Sequence, residues 1–285
     1  MDAARHYATH GWCALRGFLD PASVEALAAD LAAARRRLKV DDPELERLDL
    51  NVDFVGLATR GRLDAASAAR TEAWAYRTLR RAAMGRADPV AERAVLGGLA
   101  AAAAAAAGYD DVHLFSEIFV VKPAGSATAF AWHRDDAKQL AAVGGVDAAA
   151  AFCSTWAPLD ACAREAGTLE LRSRTTGATA RVDAAPGDVV VFAKDAWHCS
   201  GPNASAADRR VHYCQFSPAP ILGPAGTTPL WLAVPCAPTR ETVAETRTRA
   251  MDCVSTDSGC FVPSRQKRPR GDAKTRHARQ SAAAG

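Results

Sequence analysis

The sequence predicts a mainly β protein with an N-terminal α-helical layer, and three observations carry that expectation. Val24, Leu27, Leu31, Ala34 and Leu38 recur at three- and four-residue steps, which gives a helix one apolar stripe. After Gly108 the chain changes to short β-rich runs: "VHLFSEIFVVKP", "TAFAWHRD", "AFCSTWAPL", "GTLELRS", "ATARVD", "GDVVVFAKDAWHCS" and "RRVHYCQFSP". Gly, Pro, Asp and Asn separate those runs. Many short strands punctuated by turn residues describe a sandwich, a barrel or a jelly roll.

Taken in order, the first strong element is "LDPASVEALAADLAAARRRL". Asp20 is placed to cap the free N–H groups and Pro21 suits the first helical position. The arginines 35 to 37 fall in the last turns, where they complement the helix dipole as a solvated end. Residues 65–107 read as further helix, interrupted near "GRADP", and the alanine run 100–107 as a packed helix end. The β body then runs from about 108 to 235. Its longest gap, "DAKQLAAVGGVDAAA", reads as a loop or short helix beside the "WHRD" strand, in the position of a lid. The expectation is one domain over 1–263, closed by segment 236–263.

Residues 264–285 form a tail with seven Lys/Arg against one Asp. The chain carries a net charge of +3 and the tail +6, so the rest carries −3 and is no basic nucleic-acid-binding body. The tail has almost no apolar content and reads as disordered, a solvated terminus with "RQKRPR" as a weak polyanion or nuclear-import patch. Eight cysteines are scattered with no C-x-x-C pair, which argues against a zinc ribbon. The opening "MDAARHYATH" is polar, and no apolar run reads as a membrane span. The expectation is a cytoplasmic protein with reduced thiols and no membrane partner, with a nuclear address through the tail as the alternative. Nothing in the sequence fixes an oligomeric state.

The chemistry centres on "FAWHRDD". In a strand His133 and Asp135 share a face, while Trp132 and Arg134 take the other. A lone His-x-Asp is weak, and the second half of the chain strengthens it. "GDVVVFAKDAWHCSGPNASAADRR" gives a Gly187-Asp188 turn, an apolar strand and then His198. Two histidines and one carboxylate leave three coordination positions open, as in non-haem Fe(II) oxygenases. Arg209, eleven residues beyond His198, offers a dicarboxylate co-substrate two parallel hydrogen bonds that lysine cannot match. Ser200, on the same strand face as His198, adds a hydroxyl.

These residues and their surroundings resemble the phytanoyl-CoA dioxygenase (PhyH) family of Fe(II)/2-oxoglutarate-dependent oxygenases. The resemblance runs from "HYATHGWCALRGFLDPASVEALAADL" through "WHRD", "GDVVVF" and "WHCSGPNASAADRR" to "PLWLAVP" near residue 235. It implies a double-stranded β-helix (a cupin-like jelly roll). It also implies iron on His133, Asp135 and His198, and 2-oxoglutarate on Arg209 with Ser200. "FAWHRD" resembles the ectoine hydroxylase branch, which implies that Phe130 lines the co-substrate site. Further implications are dioxygen as second co-substrate, release of succinate and CO2, ascorbate as a supporting reductant, and a small organic substrate. Related halogenases replace the carboxylate with a small residue. Asp135 therefore favours hydroxylation, or another outcome of hydrogen abstraction such as desaturation. The chain departs from the family at "GTLELRSRTTG", which keeps Gly167 and Leu169 but lacks the usual Pro-Gly-Ser-His, so the substrate is not read from this loop.

Plainer readings apply elsewhere. His6, His10 and His277 read as solvated groups near the ends, and His113 as an ordinary core or surface histidine. His212 alternates away from Arg209, while Tyr213 shares its face and either lines the pocket or packs. Trp132 and Trp197 point away from the metal into packed layers, Cys199 and Cys214 read as small buried hydrophobes, and Asp136 faces away. No basic cluster for a coenzyme phosphate stands out beyond Lys122, Arg134 and Lys138. Two rivals remain: a catalytically idle jelly-roll binding protein, and a hydroxylase of a macromolecule recruited by the tail.

Overall fold

The computed structural model describes residues 2–41, 51–53, 73–136, 140, 149–227, 229–238 and 240–248. Expectations for the lid segment (137–139 and 141–148), the tail, His277 and the Leu38 side chain lie outside the described residues.

Helix α1 (Ala3–His10) leads through Gly11 into strand β1 (Trp12–Leu15). Helix α2 (Pro21–Asp41) follows, with Asp20 Oδ1 accepting from Ser23 N at 2.6 Å as the sequence predicts. After strand β2 (Asn51–Asp53) come helices α3 (Ala73–Met84) and α4 (Pro89–Ala107). The break expected at "GRADP" falls between these two, where Asp88 caps α4 through Val90 N at 2.8 Å and Pro89 opens it. One turn of α4, Ala94–Leu99, widens to a π-helix around Gly97 and Gly98.

By length and composition α4 could cross a membrane, with 19 residues and a mean hydropathy of 1.4. The sequence reading did not foresee this. Ala100–Ala106 are all buried, so the run is explained as a core helix packed against α1 and the sheet.

Strands β3 (Val112–Lys122), β4 (Phe130–His133), β5 (Cys153–Pro158), β6 (Leu169–Arg172), β7 (Thr179–Val182), β8 (Val189–Ala193), β9 (His198–Ser200), β10 (Arg209–Ser217) and β11 (Val234–Cys236) complete the body. They precede helix α5 (Arg240–Thr248), which joins α1 and α4. Two antiparallel sheets result. The larger runs β1-β8-β5-β10-β3-β11 with β2 also on β3, and the smaller runs β4-β9-β6-β7. So the N-terminal region supplies strands as well as helices. This is a mixed fold of helices on antiparallel sheet.

The larger sheet is buried on both faces. Leu27, Leu31 and Ala34 of α2, with Leu79, Ala83, Val95 and Leu99, pack on Val189, Val191, Phe119, Cys214 and Phe216. Trp12, Trp156, Val190, Phe192 and Val211 face the smaller sheet's Leu169, Leu171 and Val182. Burying each such Val, Leu or Phe contributes about 1.5–3 kcal/mol. Two-sided burial explains why "VVVF" reads as one apolar run without alternation.

Gly187 joins this layering to β1. Its φ of 94° is left-handed, and a Cβ there would lie 2.8 Å from the Leu19 carbonyl oxygen. Asp188 next to it accepts from Gly17 N at 2.8 Å and Arg16 Nη1 at 2.7 Å, which fixes the turn leaving β1.

Candidate active site

Strands β4 and β9 pair so that His133 faces His198 and Phe130 faces Ser200, with a bulge between the two pairs. Four residues of β4 (130–133) thus match three of β9 (198–200). Strict alternation would set Phe130 and His133 on opposite faces, and the bulge lets both reach the same cavity. The two imidazole centroids are 4.1 Å apart. Each ring is oriented by the carbonyl two residues upstream: His133 Nδ1 lies 2.7 Å from Ala131 O and His198 Nδ1 lies 3.0 Å from Ala196 O. A carbonyl accepts only, so Nδ1 carries the hydrogen and Nε2 keeps the lone pair that a metal takes.

Asp135 arrives by a different route from the one alternation supplies. The strand ends at His133, and Asp135 and Asp136 have helical backbone. Its Oδ1 still lies 3.6 Å from His198 Nε2, and the carboxylate is buried. Ligand atoms of His133, Asp135 and His198 all fall within 4.8 Å of one another. Two neutral imidazoles and one carboxylate suit a divalent transition metal, so the residues fit the iron that the resemblance implies.

Oδ2 of Asp135 accepts from Ser154 Oγ at 2.6 Å, Tyr213 Oη at 2.6 Å and Gln215 Nε2 at 3.3 Å. Burial, then the neighbouring Asp135 charge, push the Tyr213 phenol well above its ordinary value, so it stays a donor.

The cavity measures about 200 Å3, and its wall includes Ile118, Val120, Trp156, Leu169 and Phe192. Arg209, only 1% exposed, lies on the same wall. Arg209 pairs across the β10–β3 ladder with Lys122, whose ammonium donates to Ser200 Oγ at 2.8 Å and sits 4.9 Å from the Phe130 ring centroid. Arg209, Ser200 and Phe130 line the same cavity as the His–Asp–His group, with Lys122 behind Ser200 at the Phe130–Ser200 end of the β4–β9 pairing. Because Ser200 accepts from Lys122, its own hydrogen can be donated into the cavity.

Buried Asn203 holds that end together. Its Nδ2 donates to Lys122 O at 2.9 Å and Ala207 O at 2.8 Å, tying the β9–β10 loop to the end of β3. Gly167 lets the loop approach: a Cβ there would clash with the Gly201 and Pro202 carbonyl oxygens.

Several sequence expectations need correction. Trp132 and Trp197 are not part of the cavity wall formed by the described residues, but they lie on an outer surface and not in packed layers. Trp197 is 42% exposed, with Arg134 over it at 5.7 Å, and Arg172 covers Trp132 at 4.9 Å. Cys199 is half-buried and lines the cavity, and desolvation pushes its thiol up to about 11. The His6 and His10 rings lie 4.3 Å apart, tilted by 42°, and burial with the neighbouring His10 lowers His6 to about 4. The loop after β6 docks on α1, where Ser173 Oγ meets His10 Nδ1 at 2.9 Å and Arg174 N donates to His10 O.

Sequence reasoning missed Ser154, Gln215 and the apolar wall, and it named Lys122 only as a candidate for a coenzyme phosphate, whereas Lys122 holds Ser200. Gln215 was within reach, because Arg209, Val211, Tyr213 and Gln215 share one face of β10 at period two. Ser154 was not, since nothing local marks it.

A sequence model of the family described as Phytanoyl-CoA dioxygenase (PhyH) matches residues 7–172. The chain belongs to the phytanoyl-CoA dioxygenase family. The family uses Fe(II) and 2-oxoglutarate, and the matched segment includes His133 and Asp135. His198 and Arg209 lie beyond it and are joined to the site by the strand pairing above. No curated protein matches the chain. Among solved structures it is similar to AviO1 from Streptomyces viridochromogenes Tue57, with 21% identity over 75% of this chain and 93% of that one, at a TM-score of 0.52. It is also similar to the non-heme alpha-ketoglutarate-dependent carbocyclase SnoK from nogalamycin biosynthesis, with 15% identity over 79% and 86%, at 0.53. These two likenesses speak for the fold alone. Family membership and the His–Asp–His group together support an iron- and 2-oxoglutarate-dependent oxygenase.

Proposed function

We propose that this PhyH-family protein hydroxylates an unactivated C–H bond of a small organic molecule. Residues 1–263 act as one domain in this reading, and the two facing sheets are the halves of a double-stranded β-helix. The observation that carries the reading is a His133–Asp135–His198 group that shares one cavity of about 200 Å3 with buried Arg209. His133, Asp135 and His198 would hold iron, which, with 2-oxoglutarate and dioxygen, supplies the oxidising power and releases succinate and CO2.

The chain's own residues prepare that chemistry. Arg209 receives the far carboxylate of the co-substrate in a two-pronged pair, strengthened by its removal from water. Ser200 donates its hydroxyl to the same carboxylate while Lys122 fixes the Ser200 oxygen from behind. Phe130 lines the same cavity, and Trp156, Leu169 and Phe192 exclude water from the reacting side. The Ala131 and Ala196 carbonyls keep both histidines in the metal-binding tautomer.

Anaerobic titration with Fe(II) and 2-oxoglutarate tests this directly. The expected result is a visible charge-transfer band that needs both components and weakens in Arg209→Ala. A folded, iron-loaded protein without the band would instead favour an idle binding protein.

A further inference from the structure

Three hydrogen-bond donors converge on one oxygen of Asp135 and leave the other to the histidines. Ser154 Oγ, Tyr213 Oη and Gln215 Nε2 all donate to Oδ2, at 2.6, 2.6 and 3.3 Å. Oδ1 is the oxygen facing His198 Nε2. The three donors lie side by side, and Gln215 Nε2 has a second hydrogen to share with the two hydroxyl oxygens. Tyr213 Oη lies 2.8 Å from Ser154 Oγ, and Gln215 Nε2 lies 3.3 Å from Ser154 Oγ and 3.4 Å from Tyr213 Oη. Ser154 and Gln215 are fully buried, so water does not compete for these bonds.

A carboxylate ligates a metal through one oxygen or through both. Two imidazoles and one carboxylate oxygen leave three of six octahedral positions open, two for a chelating co-substrate and one for dioxygen. A second Asp135 oxygen on the metal would occupy one of those three. Three donors saturate the lone pairs of Oδ2 and hold it off the metal.

We infer that Ser154, Tyr213 and Gln215 are positioning residues that keep Asp135 a one-oxygen ligand and so hold a coordination position open for the co-substrate. The inference rests on the iron-centred reading above. It differs from a purely structural role in what it demands of two separate equilibria. A packing role predicts that metal affinity and co-substrate affinity fall together. The positioning role predicts that they part: a freed Oδ2 swings onto the metal, which keeps or tightens metal binding and excludes the co-substrate.

Ser154 and Gln215 suit the test because neither belongs to the cavity wall formed by the described residues, so a change there acts through Asp135. Calorimetry on the full chain with Ni(II), which binds without turnover, would give the metal affinity. Titrating 2-oxoglutarate into the Ni(II)-loaded protein would give the second equilibrium. The Ser154→Ala/Gln215→Leu double variant is expected to lose at least about tenfold in 2-oxoglutarate affinity while Ni(II) affinity stays within about threefold or rises. Ser154→Thr, which keeps the hydroxyl, should behave as wild type. An unchanged 2-oxoglutarate affinity, or a parallel loss of both affinities, would overturn the inference. If the double variant does not fold, Ser154→Ala alone is judged by the same split. Wild-type protein that binds no Ni(II) would sink the iron-centred reading itself, an outcome distinct from either.

Discussion

Strand β10 carries a polar cluster on each face, and the two differ in everything except their donor atoms. On the cavity face stand Arg209, Tyr213 and Gln215, next to the His133–Asp135–His198 group. On the helix face, His212 and Cys214 stand beside Glu117 of β3, a second trio whose donor atoms lie within 4.8 Å of one another. That second trio is already neutralised. Glu117 Oε1 accepts from Arg80 Nη1 at 2.6 Å and faces His212 Nε2 at 2.8 Å, while Oε2 accepts from Tyr76 Oη at 2.5 Å. Arg80 Nη2 continues the chain to Asp30 of α2. All six residues are buried and lie between helix and sheet. A cation there would have to displace a guanidinium that the carboxylate already holds. On the cavity face the imidazole Nε2 atoms open onto free volume instead. Donor proximity is therefore not enough to make a metal site. What decides is whether the carboxylate is already compensated and whether space remains beside it.

The contrast can be broken most forcefully from the helix side. Arg80→Leu strands two buried carboxylates, and urea unfolding should register a loss of about 3–5 kcal/mol. Glu117 sharpens the point through pH. Burial alone would raise its carboxyl, but Arg80 and then the His212 hydrogen bond pull it down from 4.5 to about 2. A depressed acid contributes stability above its ordinary value and loses it as pH falls through the depressed one. This contribution is therefore full above pH 4.5 and fades toward about 2, to a total on the order of 3 kcal/mol. Asp30, raised by its own burial, works in the opposite sense and blunts the slope. Stability measured across that window should flatten in Glu117→Gln.

The cavity side should respond in ligand binding rather than in folding. His198→Ala is expected to cost about 100-fold in metal affinity and to move Tm far less than Arg80→Leu. Arg209→Lys keeps the charge and loses the two-pronged geometry. The apparent KM for 2-oxoglutarate should rise about tenfold with kcat nearly unchanged. A folding defect from His198→Ala as large as that from Arg80→Leu would erase the distinction between the two faces.

The two faces were also unequally legible. The His–Asp–His group could be read because both halves announce themselves locally, His133 with Asp135 and His198 with Ser200 and Arg209. Period two correctly set Tyr213 on the Arg209 side and His212 away from it. The same rule reached Asp135 for the wrong reason, since the strand ends at His133 and helical backbone places Asp135. The helix-face network escaped because its members come from α2, α3, β3 and β10. A trace of it was present. Asp30 sits beside the apolar stripe of α2, Arg80 follows Tyr76 and Leu79 on α3, and Glu117 shares a strand face with Phe119 and Val121. Charge at a core position asks for a partner, but sequence alone does not say which.

Because β10 serves both faces, its tolerance of insertions and deletions is unusually low. Adding or removing one residue near Val211 would exchange the faces of everything beyond it. Tyr213 and Gln215 would turn toward the helices, and His212 or Cys214 would enter the cavity. Metal environment and helix docking would fail together, in either direction of the slip. The exposed turn at Pro224–Gly226 carries neither burden, and length variation is expected to collect there instead.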